Sequence, residues 1–544
     1  MPALSATLRA AEPASGCLEH LNNPASLDVS FRISCLAWVT VLGSALFFCY
    51  RLHERDLWSS HEARAAQNAC SVLCGQWLVP QLFDGRLELQ KPPLYYWLIA
   101  SWCWLSQRHV DALAVRLPAA LAASCIVLTL IVCGYILGRL RASLLAVGAL
   151  LLMPHFVWLA RVGRVDMPLA ASLTVALTAM LVSHRLAHPY LRHGCFLLML
   201  LALAAGLLCK GPIAIVLFSA VMISNWVCDR LISRQSWSIH DLALSFRTQP
   251  ANILASVIVF GPVLLWYIAA NAATEGDWVR EFLYRHNLAR GLGGDSRLDR
   301  HQHWSGPAFY LVRLVFDAGP VALLALWLAC RDYRRIGEDR AVRFSAIWFL
   351  VMLLFFSCMR YKRADYLLPA YPALAMFVGF RLDGFLNSLT TSQRKRWYLG
   401  YTSAVAISVV GWCIYITWVL PEINQVRQER DFAQVVRQYC GADQAIYMFG
   451  TEAHLLSYHV GPPIQRSFDA EQVRGWLEGR GPLYVIVSRK ALRQLEGSGL
   501  GWEVVVSDER PALSGWWRWL SGDEDEKLLL VRIYREPGEL VGRS

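Results

Sequence analysis

Four short segments of this 544-residue sequence place charged or ionisable side chains between long apolar runs. The first holds His61-Glu62-Ala63-Arg64 and then Gln90-Lys91-Pro92-Pro93. The second is Arg161-Val162-Gly163-Arg164-Val165-Asp166, the third the turn Lys210-Gly211-Pro212, and the fourth Tyr361-Lys362-Arg363-Ala364-Asp365. Glu62 and Asp166 are carboxylates that can take a proton, and His61 is an imidazole able to do so near neutral pH. Arg64, Lys91, Lys210, Lys362, Arg363 and, on looser grounds, Arg290 are cations suited to phosphate oxygens. A base beside a phosphate clamp is what displacement of a phosphate leaving group requires.

Each residue also has a plainer use. Glu62 and Arg64 at a membrane interface can cap helices or snorkel, Asp166 can cap the run that follows it, and His61 can bond loop backbone. Lys362 and Arg363 can anchor the interface. Lys210 interrupts an apolar hairpin, where a cation points to function rather than to packing. Trp58, Trp77, Tyr95, Tyr96 and Trp97 read as an interfacial aromatic belt rather than as sugar platforms.

The apolar runs must position these groups. Hydrophobic residues make up 56% of the chain and charged residues only 17%, a balance that excludes an ordinary soluble protein. The net charge of +11 is spread through short segments between apolar runs, so it does not indicate nucleic acid. Eleven spans are expected, from Phe31 to Tyr50 and then near 112–137, 141–160, 167–186, 194–209, 211–227, 251–271, 307–329, 343–358, 366–386 and 398–420. Residues 1–30 read as a cytosolic tail, 31–420 as the membrane domain and 421–544 as an extracytoplasmic domain.

The stretch Leu94 to Leu105 decides the topology, because it is too short to cross and follows two prolines. Read as a juxtamembrane or re-entrant helix, it leaves Arg139, Arg141, the arginines of 331–343 and Arg394-Lys395-Arg396 on one side, the cytosol by the positive-inside rule. The loop 51–93 and every residue with candidate chemistry then fall on the other. Beyond Leu420, β-rich runs at 445–449, 483–487, 503–506 and 528–534 alternate with helical stretches, as in a small α/β domain.

Taken in order and spacing, the four segments resemble the dolichyl-phosphate-mannose protein mannosyltransferase family, and most nearly its bacterial members related to the aminoarabinose transferases of lipid A. The likeness runs from about residue 33 to 420. It implies a polytopic α-helical C-type glycosyltransferase fold. It also implies an inverting enzyme of the cytoplasmic (inner) membrane, active on its outer face. Such an enzyme moves a sugar from a polyprenyl-phosphate donor to an envelope lipid, glycan or protein acceptor. Two positions depart from the pattern. His61 stands where the family carries the aspartate taken as base, so the resemblance favours a site built from Glu62 and Asp166, with His61 as assistant or replacement base. Gln90 stands where the aminoarabinose branch has a glutamate that helps to hold a metal; an amide is a poor substitute, so no metal or other cofactor is expected. His301 and His303 read as solvated or substrate-facing. A lipid-linked sugar transporter would instead predict repeats and broken midplane helices, and a non-catalytic sugar-lipid binder is the remaining alternative.

Overall fold

The computed structural model describes residues 24–233, 250–289, 306–427, 429–441, 444–478, 481–495, 498–508 and 527–535. Helices occupy all the expected apolar runs, but not as eleven full-length spans. Among the described residues seven helices are long and apolar enough to cross a membrane, or eight if a bent pair counts as one. Proline explains several of the shortfalls. Pro154 opens a new helix, Pro154–Leu159, after Leu140–Leu151. Gly319-Pro320 divides Phe309–Asp317 from Pro320–Arg331, which meet at 110°. Pro369 lies in the 3-10 turn Ala364–Ala370 that precedes Tyr371–Asn387. A proline lacks the amide needed to continue the helical ladder, so each break follows from local sequence.

The bundle core is built on Asp166–Ser183, which is apolar all round and buried along nearly its whole length. It packs on Ala112–Ile136 and Pro189–Lys210, while Tyr371–Asn387 lies against Leu140–Leu151. A helix hydrophobic on every face belongs inside a bundle, and this one starts at Asp166, so the buried centre delivers a carboxylate to its own end.

Leu94–Ser106 is a 13-residue helix. It packs against Ser60–Leu73, whose Ala63, Ala66 and Ala69 are fully buried small residues. Glu62, in the preceding helix Ser60–Leu73, and Gly163, which follows the next two apolar passes at 112–136 and 140–159, are hydrogen-bonded at 3.0 Å. A membrane crossing by 94–106 would have kept them apart.

The C-terminal residues form a five-stranded sheet of order β2-β1-β3-β5-β4. Its strands are β1 Ile446–Phe449, β2 Ile464–Ser467, β3 Leu483–Ser488, β4 Leu500–Ser507 and β5 Leu528–Arg535. β2, β1 and β3 are parallel, and β5 and β4 are antiparallel to their neighbours. The sequence runs anticipate four of these; β2 is missed because Ile464-Gln465-Arg466-Ser467 is short and half polar. The sheet unit is docked on the first loop. Arg466 pairs with Asp84 at 2.6 Å, the Gln67 amide donates to the His454 carbonyl at 3.0 Å, and Leu455 joins the cluster around Tyr95 and Ile99.

Candidate active site

The site is assembled from the bottom by a buried ion pair. Ser59 caps Ser60–Leu73 by accepting from the Glu62 amide at 3.2 Å. Glu62 at the third helical position would ordinarily reach back to complete a capping box; here it turns into the protein. Its Oε1 accepts from Arg116 Nε at 2.7 Å, Arg55 Nη2 at 3.2 Å and the Gly163 amide at 3.0 Å. Its Oε2 accepts from Arg116 Nη2 at 3.0 Å and the Trp58 amide at 3.1 Å. Both Glu62 and Arg116 are fully buried. Burial alone would raise the Glu62 carboxyl, but Arg116 and Arg55 hold it below the usual carboxylate range. Arg116 spends its other donors on the carbonyls of Leu52, Arg55 and Asp56, so one guanidinium fastens both ends of the turn that presents His61. Gly163 is required at this junction: a Cβ there would lie 2.5 Å from Val115 Cγ1 and 3.3 Å from Glu62 Cγ.

Above that anchor lies a narrow chamber walled by His61, Arg64, Lys91, Arg164, Tyr95 and Tyr96 among others. Its carboxylate neighbours are already engaged. Glu88 accepts from Arg64 at 2.8 Å, from Asn68 at 2.9 Å and from the Gln90 amide at 2.9 Å. Asp365 pairs with Arg164, lies 3.4 Å from Arg363, and faces His155 Nε2 at 3.5 Å. Asp166 is the first residue of its helix and makes no cap; it pairs with Lys210, whose ammonium lies 4.5 Å from the Tyr366 ring centre. By contrast, no hydrogen bond or ion pair to another described residue is made by His61 or Lys91. Burial, with Arg164, Lys91, Arg363 and Arg64 close by, pushes the His61 imidazole well below its ordinary value and keeps it neutral. Burial also brings Lys91 down to about 7; Asp166 and Glu88 oppose the shift, and Arg64 and Lys210 add to it.

The chamber therefore unites His61, Arg64 and Lys91. Glu62 lies directly behind it through Gly163, and Arg363 is linked to it through Asp365 and Arg164. Lys362 is not brought in, since its ammonium donates to the Met359 carbonyl of its own loop. Arg290, His301 and His303 lie outside the described residues. Tyr95 and Tyr96 correct the aromatic-belt expectation. Both are buried, and the Tyr95 hydroxyl donates to the Val115 carbonyl at 2.7 Å.

Gln90 and its surroundings do not suit a metal. Its amide oxygen accepts from Arg64 at 2.7 Å, and the nearby Glu88 is turned to the same guanidinium. The turn at Gly211 has φ +87°, and a Cβ there would fall 2.2 Å from Phe282 Cζ, which is why Lys210 is followed by glycine. Sequence reading missed Arg116, Glu88, Asp365 and His155 as site residues. Arg116 carried a usable signal, because an arginine inside an apolar span demands a partner.

On its outer side Arg64 also borders a larger cavity of about 540 Å³. Arg86 and Gln90 of the first loop, Arg280, Glu281 and Arg285 of the π-helical segment Val279–Ala289, and Glu452 and His454 of the C-terminal unit line it.

Comparison with known proteins shows what this chain is similar to. Residues 55–274 match the family model of dolichyl-phosphate-mannose-protein mannosyltransferases. An undecaprenyl phosphate-alpha-4-amino-4-deoxy-L-arabinose arabinosyl transferase of Pseudomonas fluorescens is 25% identical over 370 residues, 65% of this chain and 61% of the relative. Its counterpart in Pseudomonas aeruginosa is 28% identical over 362 residues, 65% of this chain and 60% of the relative. The chain thus spans less than two thirds of the length of these relatives. The fold is similar to that of ArnT from Cupriavidus metallidurans bound to undecaprenyl phosphate, with a TM-score of 0.69 at 18% identity, covering 95% of this chain and 99% of that one. It is also similar to the archaeal oligosaccharyltransferase AglB of Archaeoglobus fulgidus in complex with an inhibitory peptide and a dolichol-phosphate. There the TM-score is 0.54 at 11% identity, covering 85% and 70% of the two chains. This multi-pass membrane chain is therefore similar, over residues 55–274, to the dolichyl-phosphate-mannose-protein mannosyltransferase family, and it has the C-type glycosyltransferase fold.

Proposed function

We propose that this protein is an inverting glycosyltransferase of the cytoplasmic membrane that takes a sugar from a polyprenyl-phosphate donor on the outer face. One observation carries the reading: an imidazole and an ammonium with no hydrogen-bond or ion-pair partner among the described residues share a chamber whose carboxylates are already bonded to cations. An anion is what that chamber lacks. The donor phosphate sits against Lys91, with Arg64 and Arg164 to its sides, where charge-assisted contacts strengthen as the bridging oxygen leaves with the bonding pair. The acceptor hydroxyl or amine enters through the larger cavity that borders Arg64 and attacks the anomeric carbon from the face opposite the phosphate. Its proton passes to the free imidazole nitrogen of His61. Phosphate binding itself prepares this step, because it offsets the cations that keep the imidazole from accepting a proton. Asp166 holds Lys210 toward the same region, and Glu62 serves as the anchor of the loop. The relatives named for undecaprenyl-phosphate aminoarabinose support the donor class.

Mass spectrometry of envelope lipids and proteins tests the reading. Deletion of the gene should remove one sugar modification, and the purified chain should restore it with EDTA present. An unchanged envelope, or transfer that stops in EDTA and returns with zinc, would count against the function or the metal-free site respectively.

Lys91 makes the phosphate site sensitive to pH. In the free protein its ammonium deprotonates as pH rises through about 7, and binding must then restore the proton. Undecaprenyl phosphate is already a dianion there, so its affinity should fall between pH 7 and 9, by up to about tenfold per pH unit. Lys91→Arg should flatten the profile, since a guanidinium stays charged. A profile equally steep in Lys91→Arg would assign the titration to another group.

A further inference from the structure

The end of the bundle opposite the chamber carries cations of its own. Arg340–Cys358 runs 19 residues, roughly 28 Å, before reaching the loop of Arg363, so Arg331 and the loop joining it to Arg340 lie at the far end. There Pro320–Arg331, Tyr371–Asn387 and Thr391–Ile414 border an open cavity of about 410 Å³ lined by Leu324, Leu382, Trp397, Gly400 and Tyr401. Arg396 is its one charged lining residue. Trp397 stacks on Trp327 at 5.8 Å and 14°, and the Arg331 guanidinium lies 5.6 Å from Trp327 and 4.7 Å from Phe385.

The surrounding charges are uneven. Arg139, Arg343 and Arg381 are paired with Asp339, Asp229 and Asp332, and Arg141 with Asp383. Arg331, Arg394, Lys395 and Arg396 have no carboxylate partner among the described residues. Leu324 lies two helical turns, about 10 Å, inside Arg331, so the apolar slot runs inward from a rim of uncompensated cations. Hydrocarbon beneath an anion is the complement of that shape. A free phosphate would leave the slot unfilled, and a choline lipid would bring a cation to the arginines.

We propose that this cavity binds an anionic phospholipid, its phosphate against Arg331 and Arg396 and the upper part of one acyl chain in the slot beside Gly400. Basic pockets between membrane helices hold such head groups by the same charge logic. The site is independent of the sugar-transfer reading.

Native mass spectrometry of the full-length protein in detergent tests it, with phosphatidylglycerol and phosphatidylcholine of identical acyl chains as probes. Phosphatidylglycerol should bind roughly tenfold more tightly, and Arg331→Gln/Arg396→Gln should erase the difference. Gly400→Leu, whose added side chain enters open space, should lower occupancy by both lipids with the cations intact. That second variant decides the matter if the charge variant does not fold. Equal binding of the two lipids by the native protein would overturn the proposal. So would phosphatidylglycerol retention unchanged in the variants, or displacement of the lipid by millimolar sodium phosphate, which would mark a simple anion site.

Discussion

Glu62→Gln and Arg116→Met, made singly, should each destabilise the protein by about 3–5 kcal/mol, the usual cost of leaving one member of a buried pair uncompensated. Arg116 is bonded both to Glu62 and to three backbone carbonyls of the preceding turn, so either change loosens the segment that carries His61. Thermal unfolding in detergent and limited proteolysis within 51–60 would read the effect. Glu62→Gln/Arg116→Met should be no worse than the worse single variant, because it removes both charges together. Unchanged stability in Glu62→Gln with turnover lost would move Glu62 from anchor to base.

His61→Ala should behave in the opposite way. A general base contributes about 10² to 10⁴ in rate, so turnover should fall by that order while unfolding temperature and undecaprenyl phosphate binding hold. His61→Asp should recover part of the activity, since the family carries aspartate at this position. Near-normal turnover in His61→Ala would shift the base elsewhere, with Asp166 first in line because Lys210 keeps it ionised at the start of its helix.

How much of this was legible beforehand depends on the kind of signal. Membrane character and the order of the segments follow from hydropathy and spacing, because a bilayer requires apolar length and little else. Span boundaries were less legible, since Pro154, Pro320 and Pro369 break apolar runs that composition alone treats as continuous. The grouping of His61, Arg64 and Lys91 was anticipated, whereas the partners that decide their state were not. Glu88 and Asp365 are ordinary residues in local sequence, and only tertiary contact gives Glu88 to Arg64 and Asp365 to Arg164; Arg116 stands out inside an apolar span, but its partner Glu62 does not follow from that. Glu62 shows the difference most clearly. Its place in the motif points to catalysis, yet five donors saturate it in the fold. The docking of the C-terminal unit through Arg466–Asp84 and Leu455 was likewise invisible, since it joins segments nearly 400 residues apart.

In the proposed reaction, phosphate departs from the sugar inside the chamber of Lys91 and His61. Single-turnover reaction of purified protein with isotopically labelled polyprenyl-phosphate sugar from an envelope lipid extract, followed by mass spectrometry and NMR of the products, tests it directly. One polyprenyl phosphate should be released per sugar transferred, with inverted configuration at the anomeric carbon. Lys91→Ala should weaken donor binding, whereas His61→Ala should bind the donor and fail to turn it over. Retained configuration, or donor binding and turnover untouched in both variants, would contradict it.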